Sequence, residues 1–271
     1  MDTGWHAGED PVVGVVDRED APSDAAEASA RLETDALEGA LAGDVTVVRG
    51  GLEDVLAADP SVLVAAGEGT LSGAARAGVD APVLPVGSLA GIESVDRVQL
   101  SAALAAALEG HAVRHAHPVL AVALESETEA DASDLEGCDR ALFDVTLVTD
   151  EPARISEYGV HSRGETVATF RADGVVAATP AGSHGYASAV DAPNLSAAVD
   201  ALAVAPIGPF VTQTRRWVLP DDDLSMTVER EEGDVALVVD GRSVGSVTVE
   251  SLVSVSVVDT LETLSVPSER L

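Results

Sequence analysis

The sequence predicts an α/β domain followed by an all-β domain, and three observations carry that expectation. Up to about residue 110, apolar runs of strand length alternate with Ala-rich stretches whose apolar residues recur at helical spacing. From Val113 onward the helical stripes give way to strand-length runs separated by turn residues. At 271 residues, 46% of them hydrophobic, the chain is long enough for two cores.

Val12-Val13-Gly14-Val15-Val16 predicts a short buried strand. Residues 21–42 predict a helix, with Ala25, Ala28, Leu32 and Ala36 as its stripe. A second strand is expected over 45–48, a short helix over 52–58, and a third strand over 61–65 that runs into Ala66-Gly67-Glu68-Gly69-Thr70. Helix over 71–77, strand over 82–86 and helix over 98–108 complete the half. Strands alternating with helices imply a parallel sheet covered on both faces, a Rossmann-like arrangement. The boundary is placed at 112, inside His111-Ala-Val-Arg-His-Ala-His117, giving domains 1–112 and 113–271 and leaving open a return of the last residues to the first domain.

In the second half, strands are expected over 119–124, 142–148, 167–170, 175–178, 202–204, 235–239 and 247–257, with at most a short helix around 187–200. Two Asp-Gly pairs, Asp173-Gly174 and Asp240-Gly241, each lie between β-rich runs and predict hairpins, because both residues of such a turn need positive φ. After the 175–178 strand comes Thr179-Pro-Ala-Gly-Ser-His-Gly-Tyr186. Its small side chains let a ligand approach the backbone, Thr179 and Ser183 offer hydroxyl donors, and Tyr186 offers a ring for stacking.

Charge narrows the function classes. The formal net charge is −32, all fifteen basic residues are Arg, and the acids are spread along the whole chain. This is the composition of a halophilic globular protein, kept soluble where the Debye length falls to about 3 Å. It argues against nucleic acid as a partner. Cys138 is the single cysteine, so no intrachain disulfide forms. No apolar run reaches the roughly 18 residues of a membrane span, and the first ten residues have no signal-peptide pattern, so a cytoplasmic location without membrane partners is expected. His115 and His117 share a face if they lie on a strand, but no Cys or carboxylate stands at a supporting spacing, so no metal site is assigned to them.

The stretch from Asp173 to Tyr186 resembles the NAD kinase family, whose pattern there is Asp-Gly, four apolar residues, then Thr-Pro-Thr-Gly-Ser-Thr-Ala-Tyr. Ala181, His184 and Gly185 depart from it. About a hundred residues earlier, Ala66-Gly67-Glu68-Gly69-Thr70 resembles the family's Gly-Gly-Asp-Gly-Thr motif, with Glu68 at the position of the Asp. Phe143 and Asp144 fall where the family has an Asn-Glu pair, and Val86-Gly-Ser-Leu89 where it has an Asn-Thr-Gly turn. Ala205-Pro-Ile-Gly-Pro209, Arg216-Trp-Val-Leu-Pro220 and Val239-Asp-Gly-Arg242 follow in the family's order, so the resemblance covers residues 61–242. It implies the NAD kinase-like two-domain fold and transfer of phosphate from ATP or polyphosphate, with Mg²⁺, to NAD. By resemblance Glu68 is the general base, and Gly67, Gly69 and Thr70 bind phosphates. Tyr186 packs on adenine, with Asp144, Arg171, Asp173, Ser183 and His184 around the dinucleotide. It further implies a homodimer or homotetramer. The second reading is a catalytically impaired paralogue that binds NAD(P) or an adenine nucleotide as a sensor or partner subunit.

Self-repulsion among so many carboxylates destabilises the compact state in dilute buffer. The melting temperature is therefore expected to rise steeply between dilute and molar KCl; a flat profile in differential scanning calorimetry would remove the high-salt reading of the composition.

Overall fold

The computed structural model describes residues 5–6, 8, 10–16, 45–126, 138–150, 154–211, 215–249 and 251–270. The helix expected over 21–42 lies outside them. The chain divides into two compact units, Met1–His117 with Thr260–Leu271, and Pro118–Asp259.

In the first unit, strands β1 (Val12–Val16), β2 (Thr46–Gly50), β3 (Val62–Ala66) and β4 (Val83–Val86) form a parallel sheet in the order β2-β1-β3-β4. Strands covered on both faces read as unbroken apolar runs, and every residue of β4 is buried. Helices α1 (Leu52–Leu56), α2 (Glu68–Ala77) and α3 (Leu100–Ala106) follow β2, β3 and β4. Gly14 is needed in β1 because a Cβ there would run into Val55 of α1 and Leu63 of β3. Leu100, Ala103 and Leu104 of α3 join Val13, Val15, Val62, Val64, Leu84 and Trp5 in one core. Thr263, near the end of the chain, pairs in parallel with Val83.

The second unit is antiparallel. Between β5 (Val113–Ser126) and β16 (Ser251–Ser265), both shared with the first unit, lie β6 (Asp139–Ala141), β7 (Asp144–Thr149), β8 (Ser156–Ser162), β9 (Glu165–Ala172), β10 (Gly174–Ala178), β11 (Ala201–Ile207), β12 (Trp217–Pro220), β13 (Leu224–Arg230), β14 (Val235–Val239) and β15 (Arg242–Val247). One sheet runs β12-β11-β10-β7-β14-β15, and in the other β13 lies between β8 and β16, with β9 outside β8. A core that includes Val145, Leu147, Tyr158, Val160, Val175, Leu202, Met226, Leu237 and Val253 draws on both sheets. The short helix α4 (Tyr186–Ala189) and the segment after it bring Ala187, Ala192 and Leu195 onto Val176, Ala178, Ala203 and Ala205. Strand β10 is thus buried on both faces, which explains its uninterrupted apolar sequence. The run expected over 247–257 is interrupted instead by a turn in which Thr248 and Ser251 bond to each other.

Of the two expected Asp-Gly hairpins, only one exists. Asp240 and Gly241 have φ of 47° and 77° and join β14 to β15. Asp173 and Gly174 do not turn the chain back: β9 pairs with β8, β10 pairs with β7 and β11, and the dipeptide carries the chain from one sheet to the other. Asp173 is held by its main chain, donating to the Ile207 carbonyl at 2.9 Å and accepting from the Thr149 N–H at 2.8 Å and the Tyr158 hydroxyl at 3.2 Å. Gly174 is required because a Cβ would meet the Leu147 carbonyl oxygen. The hairpin between β8 and β9 turns at Arg163-Gly164, with φ of 52° and 75°.

In the first unit His115 and His117 both lie on β5. His117 is buried with Nε2 2.9 Å from Thr263 Oγ1, while His115 reaches Ser265 Oγ at 2.8 Å and Glu93 at 3.5 Å. Burial, then the neighbouring His115, lowers the His117 pKa to about 4. The unfolded chain, with an ordinary histidine pKa of about 6.5, therefore binds the proton more readily than the folded one. Stability is complete above that value and is lost as pH falls toward 4, by on the order of 3 kcal/mol once His117 is fully protonated. Denaturant titrations at pH 7, 5 and 4 should show this loss, and His117→Gln should flatten it. An unchanged pH slope in the variant would assign the acid sensitivity to other groups.

Candidate functional site

In the first unit, the carboxyl ends of β3 and β4 carry two glycine turns. Gly67, with φ of 83°, ends β3 and starts α2, and its N–H donates to the Val86 carbonyl at 3.2 Å. Neither Gly67 nor Gly69 has an atom within 4 Å of where a Cβ would stand, so the backbone is open to an approaching group. No side chain caps α2, which leaves its first N–H groups facing outward at the positive end of the helix dipole. Glu68, the first residue of α2, is exposed. Thr70 is buried, and its hydroxyl donates to the Ala66 carbonyl at 3.0 Å, so only its main chain can serve an anion. Gly87, with φ of 109°, follows β4; its carbonyl accepts from Ser94 Oγ at 2.6 Å. A cleft of about 400 Å³ opens there, lined by Ser88, Glu93, Asp96, Gln99 and Ser265 among others. Strand order reverses between β1 and β3, and the carboxyl edge at such a reversal is where open α/β sheets bind ligands.

In the second unit the site is built on the tripeptide Leu142-Phe143-Asp144. The Asp240 carboxylate accepts from all three of its N–H groups, at 2.9, 2.8 and 3.1 Å, and the Asp240 N–H donates to the Asp144 carbonyl at 3.0 Å. Thr179 answers the other two carbonyls: its hydroxyl donates to Leu142 at 2.7 Å and its N–H to Phe143 at 2.9 Å. The 179–186 loop then folds on itself. The Gly182 N–H donates to Thr179 Oγ1 at 3.1 Å, and a Cβ on Gly182 would strike the Phe143 backbone. Ser183 Oγ donates to the Pro180 carbonyl at 2.8 Å and accepts from the Leu195 N–H at 2.8 Å. Thr179 and Ser183, expected as ligand donors, are fully buried and hold the loop instead. His184 is exposed, with Nε2 3.1 Å from the Leu195 carbonyl. Tyr186 opens α4 with 51% of its surface exposed, so its ring is available for stacking. Asp144 is nearly buried and accepts from Thr146 Oγ1 at 3.4 Å, whereas the Phe143 ring belongs to the interior.

The structure brings Asp144, Ser183, His184 and Tyr186 to one end of β10 and leaves Arg171 and Asp173 at the other. Ala178 pairs with Asp144, while Gly174, next to Asp173, pairs with Val148, so the two groups are separated by roughly 15 Å of strand. The Arg171 guanidinium lies 5.7 Å from the centre of the Phe210 ring and 3.9 Å from Glu232. The exposed Asp173 carboxylate lies where a Cβ on Gly208 would stand. The sequence marks Asp240 only as a turn former and as part of the resemblance at Val239-Asp-Gly-Arg242; its capping role is not legible there, since the amides it caps lie about a hundred residues away.

Residues 142–264 match the family model of the ATP-NAD kinase C-terminal domain. The chain is 35% identical over 185 residues to an NAD kinase of Acidobacterium capsulatum, covering 67% of this chain and 64% of that one. It is 31% identical over 119 residues to an NAD kinase of Methanosarcina mazei, covering 44% and 41%. The chain thus spans about two fifths of the length of the Methanosarcina relatives it matches. In fold it is similar to yeast NADH kinase complexed with NADH, with a TM-score of 0.74 at 17% identity over 99% of this chain and 89% of that one. It is likewise similar to an NAD kinase from Archaeoglobus fulgidus in complex with ATP, with a TM-score of 0.68 at 18% identity over 96% and 95%. A C-terminal domain recognised across residues 142–264 and 35% identity over 185 residues are what this chain shares with NAD kinases.

Proposed function

We propose that the protein phosphorylates the 2′-hydroxyl of the adenosine ribose of NAD, using ATP or polyphosphate, and so makes NADP. What carries this reading is the placement of Glu68, an exposed carboxylate at the first position of a helix whose glycine turn leaves the backbone open. A phosphate laid against the N–H groups of residues 67–70 meets the positive helix end. The 2′-oxygen attacks the terminal phosphorus, the bond to the bridging oxygen breaks, ADP or a shortened polyphosphate leaves, and Glu68 takes the hydroxyl proton. Tyr186 packs on the adenine, with Asp144 and His184 around the dinucleotide; Asp144 pairs with Ala178, the last residue before the loop that carries His184 and Tyr186.

Among the described residues no group of three or more His, Cys, Asp or Glu could hold a metal. A Mg²⁺ ion carried in on the donor phosphates needs only one or two protein carboxylates, and Glu68 would supply one. Its contribution when bound is neutralisation of phosphate charge. A cytoplasmic homodimer or homotetramer working in high salt completes the reading, supported by the composition and by the family resemblance.

Glu68→Gln keeps size and polarity while removing the base. NADP formation in molar KCl with Mg²⁺ should fall by roughly 10²–10⁴-fold while NAD still binds. Glu68→Asp keeps the carboxylate in an uncrowded turn and should retain turnover. If Glu68→Gln turns over like the parent, the base lies elsewhere.

Tyr186→Ala should weaken NAD binding by about 1–3 kcal/mol in isothermal titration, with Tyr186→Phe close to the parent, since stacking needs the ring and not the hydroxyl. Equal affinities for all three proteins would move the adenine site away from α4.

A further inference from the structure

We infer that Asp240 is a positioning residue for the dinucleotide site, setting the 179–186 loop through the main chain of residues 142–144; this rests on the proposed function for its ligand. The Asp-Gly turn alone does not call for what the Asp240 side chain does. Arg163-Gly164 makes a turn of the same kind with a side chain that reaches outward to Asp222 at 2.8 Å. Asp240 instead turns its carboxylate onto the N–H groups of Leu142, Phe143 and Asp144. Those three residues would otherwise enter β7 with donors unanswered, because the ladder from β14 stops at the pair Val239 and Val145. On their carbonyl side the same residues receive Thr179, and the Phe143 backbone is the floor beneath Gly182. A displacement at Asp240 therefore reaches Gly182 and Ser183 through three hydrogen-bonded steps, by way of residues 142–143 and Thr179, and with them His184 and Tyr186. It also moves Asp144 directly, since Asp240 bonds both its N–H and its carbonyl.

Asp240→Asn separates turn from clamp. Asn adopts the left-handed conformation as readily as Asp, so the hairpin stays. Its amide presents one neutral acceptor oxygen, and its NH₂ group faces donors. Gly164→Ala is the comparison, for it strains the other hairpin of the same unit in open space and leaves the clamp intact. Under conditions where all three proteins are fully folded, the KM for NAD should rise about tenfold in Asp240→Asn, with kcat and the KM for ATP within about twofold of the parent. Gly164→Ala should leave all three constants unchanged. Amide hydrogen exchange gives a second readout that needs no activity: Gly182 and Ser183 should lose protection in Asp240→Asn and keep it in Gly164→Ala. Unchanged protection in Asp240→Asn, or an equal rise in KM for both variants, overturns the positioning role. A parent that forms no NADP while Asp240→Asn still loses protection overturns the kinase reading and leaves the clamp standing.

Discussion

The second unit depends on how a short stretch of main chain enters its central strand. Leu142, Phe143 and Asp144 are buried or nearly so, and six backbone polar groups go inside with them. A buried amide or carbonyl left unmet costs about 1–3 kcal/mol, so six together exceed the net stability of many domains. Pairing with β14 cannot meet all of them, because it turns away just after Val239. Two side chains do so in its place, the Asp240 carboxylate on the donor side and the Thr179 hydroxyl on the acceptor side, each helped by its own main chain. The 179–186 loop is thereby tied to the sheet through the strand that carries Asp144. Scaffold strand and loop are parts of one hydrogen-bond system.

A second constraint is charge. With a net charge of −32 and no lysine, the chain has few cations to spare for phosphate. Arg114, Arg140, Arg163, Arg171, Arg216, Arg230 and Arg242 are each engaged with a carboxylate. Such exposed pairs contribute little to stability, commonly below about 1 kcal/mol, but they blunt repulsion among neighbouring acids. Under the proposed function, phosphate binding draws on groups that carry no formal charge. The uncapped start of α2 is of that kind: its N–H groups and dipole attract phosphate whatever the net charge of the surface.

Much of this was legible in the sequence, and the failures share one cause. The alternating half was readable because parallel strands buried on both faces are unbroken apolar runs, as in Val62–Ala66 and Val83–Val86. The turn at Gly67 was readable because a strand, a glycine pair and a helix lie adjacent in the chain. Asp240-Gly241 and Asp173-Gly174 look alike locally, yet one is a hairpin and the other a crossing between sheets. What distinguishes them is the pairing of β10 with β7 and β11, which no local window contains. Thr179 and Ser183 mislead for a related reason. A hydroxyl in a loop of small residues suggests a ligand donor, but a fully buried hydroxyl must find a protein partner, and these two found Leu142, Pro180 and Leu195.

The same bookkeeping explains why the departures from the family pattern do not disturb the loop. Thr179, Gly182 and Ser183 keep the pattern, and each acts through its side chain or through lacking one: Thr179 bonds Leu142, Gly182 lies on the Phe143 backbone, and Ser183 bonds Pro180 and Leu195. Ala181, His184 and Gly185 depart from it. Ala181 offers only a buried methyl, Gly185 has room above its Cα, and His184 reaches the Leu195 carbonyl through a ring that is otherwise exposed. Phe143 follows the same rule in the strand below. Its N–H, carbonyl and Cα serve the clamp and the loop floor, while its ring is buried in the interior, where an aromatic side chain gains about 2 kcal/mol. An amide in its place would need a partner there or would have to reach the ligand. Asp144 is then the polar side chain of the tripeptide, and Asp240 bonds both its N–H and its carbonyl.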